Sequence, residues 1–151
     1  MNVSTDQVIA RFVILFHRVS DGQTLAQAVK DEIRRTDHWD LMFECGGQLL
    51  TWAVATEPFK SGFYEAIQLP NHRLEYLTYE GPISANRGEV QQSMAGTFCI
   101  DCNDVAATDL TEYRSAGQFE LRLFSDEMKR KISFQRESGL RWTLTMTAET
   151  R

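Results

Sequence analysis

His38-Trp39-Asp40-Leu41-Met42-Phe43-Glu44-Cys45, followed by Gly46-Gly47 and then Gln48-Leu49-Leu50-Thr51-Trp52-Ala53-Val54-Ala55, is the stretch that decides the fold. Trp39, Leu41, Phe43 and Cys45 alternate with His38, Asp40, Met42 and Glu44. That two-residue period is the mark of a strand with one apolar and one polar face. Glycine pairs suit two-residue hairpin turns, whose central residues take positive φ. The spacing predicts two antiparallel strands joined at Gly46-Gly47.

The same period extends outward. Residues 9–17 form an apolar, β-branched run ending in His17. Further strands are predicted at 63–69, 73–79, 88–93, 96–101, 118–124, 130–136 and 140–147. In the last of these, Leu140, Trp142, Leu144 and Met146 share one face, and threonines with Arg141 the other. One segment departs from the pattern. Leu25, Val29 and Ile33 recur every four residues within 24–35, an amphipathic helix inserted between the first two strands. Many short strands with little helix point to a mainly β fold, an antiparallel β-barrel with one inserted α-helix.

At 151 residues the chain is expected to form a single domain, 1–151, with one core. With 42% apolar residues, that core needs neither a disulfide nor a metal to form. The three cysteines, Cys45, Cys99 and Cys102, are an odd number and fit reduced thiols. No signal peptide or membrane-length apolar run is evident, so a cytoplasmic protein with no membrane partner is expected. The net charge of −5 argues against a broad surface for coating nucleic acid. It leaves room for a small site gripping one strand end.

The chemistry concentrates on few residues. His38 and Asp40 lie two apart on one strand face, and imidazole with carboxylate is a borderline ligand set for a divalent ion. His17 is the natural third ligand if the first strand neighbours the second. A histidine beside an aspartate is also a common surface hydrogen-bonded pair, so spacing alone leaves both readings open. Cys99-Ile100-Asp101-Cys102 has no second ligand pair for zinc and no helix start for redox chemistry. Trp52 and Trp142 are expected in the core, and the basic run Met128-Lys129-Arg130-Lys131 on a solvated hairpin flank.

Several motifs from Arg11 to Val90 carry a resemblance. Phe12-Val13-Ile14 leads to His17; His38-Trp39-Asp40-Leu41-Met42-Phe43-Glu44 is similar to a His-Tyr-Asp-Phe-Arg-Leu-Glu motif. Thr51-Trp52-Ala53-Val54 is similar to Ser-Trp-Ala-Val, and Asn71-His72-Arg73-Leu74-Glu75-Tyr76 to Asp-His-Pro-Leu-Glu-Tyr. Tyr79-Glu80-Gly81 with Ile83 is similar to Phe-Glu-Gly-Val-Ile. In this order they resemble the 3′-phosphoesterase domain of bacterial DNA ligase D. That resemblance implies a β-barrel and a manganese-dependent enzyme acting in DNA repair. Its substrate would be a DNA or RNA-tipped DNA 3′ end, from which it removes a 3′-phosphate or a terminal ribonucleoside. It further implies that His17, His38 and Asp40 hold Mn2+ or another divalent metal, with His72 at the scissile phosphate and Tyr76 nearby. Separate ligase or polymerase proteins are the implied partners.

The chain departs from the family pattern in three places. Met42 replaces the arginine that contacts phosphate, and a thioether carries neither donor nor charge. His17 and His38 are twenty-one residues apart, with the predicted helix between them. No counterpart is clear for the family's arginine and acidic residues upstream of the first strand. Arg18, Arg73 or Arg87 are candidate replacement cations. Arg87, in the polar turn Ser84-Ala85-Asn86-Arg87-Gly88, is taken as the catalytic candidate; an ordinary solvated loop arginine is the alternative. Two rival functions stand beside the enzyme: an inactive module that binds a DNA end or a repair partner, and a hydrolase of another phosphoester such as a small nucleotide.

Overall fold

The structure, a computed structural model, describes residues 10–19, 36–83, 88–100, 109–126 and 128–149. Among these residues nine strands follow in order: β1 (Ala10–Arg18), β2 (His38–Cys45), β3 (Gln48–Val54), β4 (Gly62–Arg73), β5 (Gly81–Pro82), β6 (Glu89–Ile100), β7 (Gln118–Phe124), β8 (Lys129–Ser138) and β9 (Arg141–Glu149). A 3-10 turn at Leu74–Leu77 precedes β5, and helix α1 (Leu110–Ala116) precedes β7. Neighbours pair in the order β1-β2-β3-β4-β9-β8-β7-β6, and β6 pairs back onto β1. An eight-stranded antiparallel barrel thus closes, with β5 added outside on β6. Closure removes the free edges that an open sheet would expose.

Alternation along each strand fills the barrel. Trp39, Leu41 and Phe43 of β2 point inward, as do Trp52 of β3 and Trp142 of β9. Phe43 lies edge-on to Phe98 at 5.3 Å and to Phe134 at 5.8 Å, and Trp52 to Trp142 at 5.4 Å. Such edge-to-face contacts fill volume with favourable ring electrostatics. The expectation that Trp52 and Trp142 are core residues is met. At the end of the barrel where β2 turns into β3, α1 inserts Leu110.

A second apolar cluster lies on the outer side of β1, β2, β3 and β6. Val13, Leu15, Met42, Leu49 and Val90 form it, and Leu77 of the 3-10 turn packs onto it. The closing pair β1–β6 slips register between Ile14 and Leu15, which face Met94 and Gln92 respectively. Ser93 is the extra residue of this bulge, the kind of irregularity that re-aims side chains at barrel rims. Close by, a Cβ on Gly96 would stand 1.9 Å from the Phe124 carbonyl oxygen. Only glycine permits that backbone approach.

Some expectations need correction. The strand expected at 73–79 is instead the end of β4 followed by the 3-10 turn, whose Leu74 and Leu77, three apart, both meet the outer cluster. The strands expected at 88–93 and 96–101 are one bulged strand, β6. Leu140 lies in the β8–β9 turn, 57% exposed, and does not share the core face of β9. Helix α1 was not expected from periodicity. The Asp109 side chain accepts a hydrogen bond from the Thr111 amide at its start, and Gly117 takes φ +86° at its end. Those capping residues were a readable signal. The helix expected at 24–35, the turn bearing Arg87, and Cys102 lie outside the described residues. Among the described residues no helix is long and apolar enough to cross a membrane.

Candidate metal centre

Strand pairing assembles the site. In the β1–β2 register His17 stands directly opposite His38, and Leu15 opposite Asp40. Below this point the two strands stay paired back to Phe12 and Phe43. Above it, the Val19 amide donates to Asp37 Oδ1 at 2.9 Å, so the strand ends remain closed. Two histidines twenty-one residues apart therefore become cross-strand neighbours, their rings 4.6 Å apart. Asp40, two residues beyond His38 on the same outer face, completes the group.

His17 Nδ1 is 3.5 Å from Asp40 Oδ2, and His38 Nε2 is 3.3 Å from Asp40 Oδ1. One ligand atom from each residue lies within 4.8 Å of the others. His38 and Asp40 are buried, at 2% and 3% exposure, while His17 is half-buried. Burial pushes the Asp40 carboxyl up, but its contacts with the His17 and His38 rings outweigh that and hold it well below the usual carboxylate range.

Two further observations fit a cation here. His38 Nδ1 lies 2.8 Å from the Thr36 carbonyl oxygen and donates to it, which turns Nε2 toward Asp40 Oδ1. Metal-binding histidines are commonly oriented in this way. Asp40 Oδ1 is buried with no hydrogen-bond partner. An unsatisfied buried acceptor costs about 1–3 kcal/mol, more when charged. Two imidazole nitrogens and one carboxylate oxygen are a ligand set that suits a divalent ion.

The expected catalytic residues are arranged apart from this group. His72, on β4, stands opposite Leu49, beyond a bulge that accommodates Pro70 and Asn71. It shares the outer face with Asp40 but lies two strands over and two rows further along. Its Nδ1 donates to the Pro70 carbonyl at 2.9 Å, and its ring meets Tyr76 edge-on at 5.7 Å. Met42 occupies the intervening row, 1% exposed inside the apolar cluster. Arg18 and Arg73 are exposed, opposite Glu89 and Gln48.

Two acids outside the expected site residues brace this face. Glu44 receives hydrogen bonds from Arg11 Nε at 3.0 Å, Arg11 Nη2 at 2.9 Å and the Arg11 amide at 3.0 Å. Arg11 holds the Glu44 carboxyl below its usual range. Glu80 accepts from the Gln92 amide at 2.7 Å, fastening the segment that overlies the apolar cluster to the bulged stretch of β6. Position on the polar face marked Glu44, but its partner lay on another strand.

Comparison with known proteins bears on this arrangement. A family model described as the DNA ligase D 3′-phosphoesterase domain matches residues 30–136. The chain is also similar to a multifunctional non-homologous end joining DNA repair protein, LigD, of Mycobacterium tuberculosis. The two are 27% identical over 127 residues, which is 81% of this chain and 16% of that protein.

Proposed function

The chain belongs to the DNA ligase D 3′-phosphoesterase domain family, and on that premise we propose that it is a metal-dependent phosphoesterase processing nucleic-acid 3′ ends in DNA repair. We take 1–151 as one such domain. The substrate is a DNA or RNA-tipped DNA 3′ end, and the reaction removes a 3′-phosphate or a 3′-ribonucleoside. The observation that carries this is the convergence of His17, His38 and Asp40 around a buried carboxylate oxygen that lacks a donor.

These three residues hold the ion, manganese or a similar divalent metal. When bound it supplies charge stabilisation at a phosphoryl oxygen. Asp40, kept ionised by its two imidazole neighbours, contributes the negative ligand across the neutral pH range. His38 keeps its proton on Nδ1, against the Thr36 carbonyl, and presents Nε2. His72 likewise donates through Nδ1, to Pro70, so its Nε2 is the atom that meets the phosphate. As imidazolium that nitrogen donates to a phosphate oxygen; as neutral imidazole it accepts a proton. Tyr76 braces the His72 ring from its edge. Arg87 is the proposed second cation, and separate ligase or polymerase proteins are the proposed partners.

One observation favours a second reading. Met42 stands in the position of the family's phosphate-contacting arginine and is sealed in an apolar cluster. Loss of that cation favours a module that holds a DNA end or a repair partner without cleaving it.

A primer-template ending in a 3′-phosphate or a single 3′-ribonucleotide separates the two. It is incubated with manganese, magnesium or EDTA, and with the Asp40→Ala protein. Manganese-dependent shortening or dephosphorylation that the variant lacks is the expected result. Metal binding and DNA binding without turnover would select the inactive module.

A further inference from the structure

Strand β4 is interrupted just before His72. Between the pairs Leu49–His72 and Thr51–Leu69, β4 carries Pro70 and Asn71 where β3 carries Leu50 alone. The extra residue of such a bulge is left out of the ladder, and bulges beside active sites re-aim a side chain. Here the bulge also supplies the acceptor for the histidine: His72 Nδ1 donates to the Pro70 carbonyl at 2.9 Å. The orientation of the ring therefore depends on the conformation of Pro70-Asn71. Proline has no amide proton to give to a ladder, and side chains hold the bulge instead. Asn71 Oδ1 accepts from Arg114 Nη1 of helix α1 at 3.1 Å, and Asn71 Nδ2 donates to Gln48 Oε1 of β3 at 2.8 Å. A guanidinium has donors only, so it fixes which end of the amide faces which neighbour. Helix α1 is itself anchored, by Leu110 in the barrel core and by the Arg136 amide, which donates to the Gly117 carbonyl at 2.9 Å.

We propose that Asn71 and Arg114 are positioning residues for His72: Arg114 fixes the Asn71 amide, Asn71 fixes the bulge, and the bulge fixes the imidazole through the Pro70 carbonyl. The proposal rests on the 3′-end reading above, in which His72 Nε2 meets the phosphate. Neither residue touches the substrate. Their contribution is to hold Nε2 in one direction before the substrate arrives, and a displacement of about 1 Å at a reacting group can cost on the order of 100-fold in rate. Helix α1 thereby acts in the reaction without carrying a residue that meets the phosphate or the metal.

The test compares the wild-type protein with Asn71→Ala, Asn71→Asp, Arg114→Ala and the double variant Asn71→Ala/Arg114→Ala. Two readouts are used: turnover of a 3′-phosphate primer-template with manganese, and proton–nitrogen correlation spectra of the three imidazole rings. In the wild type the His72 proton sits on Nδ1, against Pro70. Asn71→Ala and Arg114→Ala are expected to lower kcat by about tenfold or more and to leave KM little changed. In both, the His72 signals move toward the Nε2-protonated tautomer, while the signals of His17 and His38 stay in place. The double variant loses no more than Asn71→Ala alone, because the two act in one chain of contacts. Asn71→Asp keeps most of the wild-type kcat and the Nδ1 tautomer, since a carboxylate accepts from Arg114 and the Gln48 amide turns over to donate. The manganese-induced rise in Tm is the same in all five proteins. Unchanged kcat in Asn71→Ala, a fall in kcat without a change at His72, a loss in Asn71→Asp as deep as in Asn71→Ala, or additive losses in the double variant would each overturn the proposal. If the wild type turns over and Asn71→Ala matches it, only this inference falls. If the wild type turns nothing over but Asn71→Ala still moves the His72 tautomer, the 3′-end reading falls and the hold on His72 stands.

Discussion

Asp40→Asn keeps the side-chain volume of Asp40 while removing its charge, and it isolates the ion's contribution to the fold. Three ligand atoms within 4.8 Å form a site that the unfolded chain lacks, so binding stabilises only the native state. At manganese a hundredfold above its dissociation constant, that stabilisation is about 2.7 kcal/mol. For a domain of ~150 residues, each kcal/mol moves Tm by roughly 2–4 °C, so the expected upshift is about 5–10 °C. Changing even a residue that orients a ligand costs up to ~100-fold in affinity, and an amide in place of the ligand itself costs at least that. At the same manganese concentration the variant then gains only about 0.4 kcal/mol, or roughly 1 °C. Differential scanning fluorimetry with manganese and with EDTA reads both proteins directly. An equal manganese-induced upshift in Asp40→Asn, or none in the wild type at millimolar manganese, would refute the metal centre.

Gly96→Ala drives a Cβ to within 1.9 Å of the Phe124 carbonyl, so β6 and β7 must part; a loss of about 2–3 kcal/mol should lower the urea midpoint by roughly 1 M. Met42→Arg, although it supplies the family's residue, places a guanidinium in the sealed apolar cluster and is expected to cost about 2–4 kcal/mol. An unchanged urea midpoint would show that the cluster opens to admit it. The Glu44 carboxyl is held below its ordinary pKa by Arg11, so the pair contributes stability above the unfolded value of ~4.3, lost as pH falls through the lower folded value. Arg11→Gln should flatten that acid limb of a stability–pH profile, and a limb of unaltered shape would assign the acid loss to other carboxylates.

The hairpin of β2 and β3 was legible because its pattern is local: alternation sets the two faces, and Gly46-Gly47 sets the turn. The pairing of His38 with Asp40 on one face followed from the same two-residue period. Membership in the family was legible too, since the motifs around His17, His38 and His72 keep their order. Tracts whose structure depends on capping or on neighbours were harder to read. Helix α1 is only seven residues long, too short to show a periodicity, and was marked by Asp109 and Gly117 alone. The 3-10 turn at Leu74–Leu77 reads as strand in the sequence because its apolar residues answer to a cluster on other strands.

Within the site, the sequence named the three ligand residues, but their contact depended on a long-range pairing. No local rule places His17 opposite His38 across twenty intervening residues; the β1–β2 register does, reinforced by β1 closing on β6. Met42 was readable as a missing cation. Its burial was not, because the side chains that seal it come from β1, β3, β6 and the 3-10 turn. Likewise the exposure of Phe63 follows from how β4 pairs with β9, since an aromatic at an alternating position belongs to either face until register chooses. Side-chain alternation is thus written in the chain, whereas barrel closure decides which alternating residues meet, which are sealed and which are left to solvent.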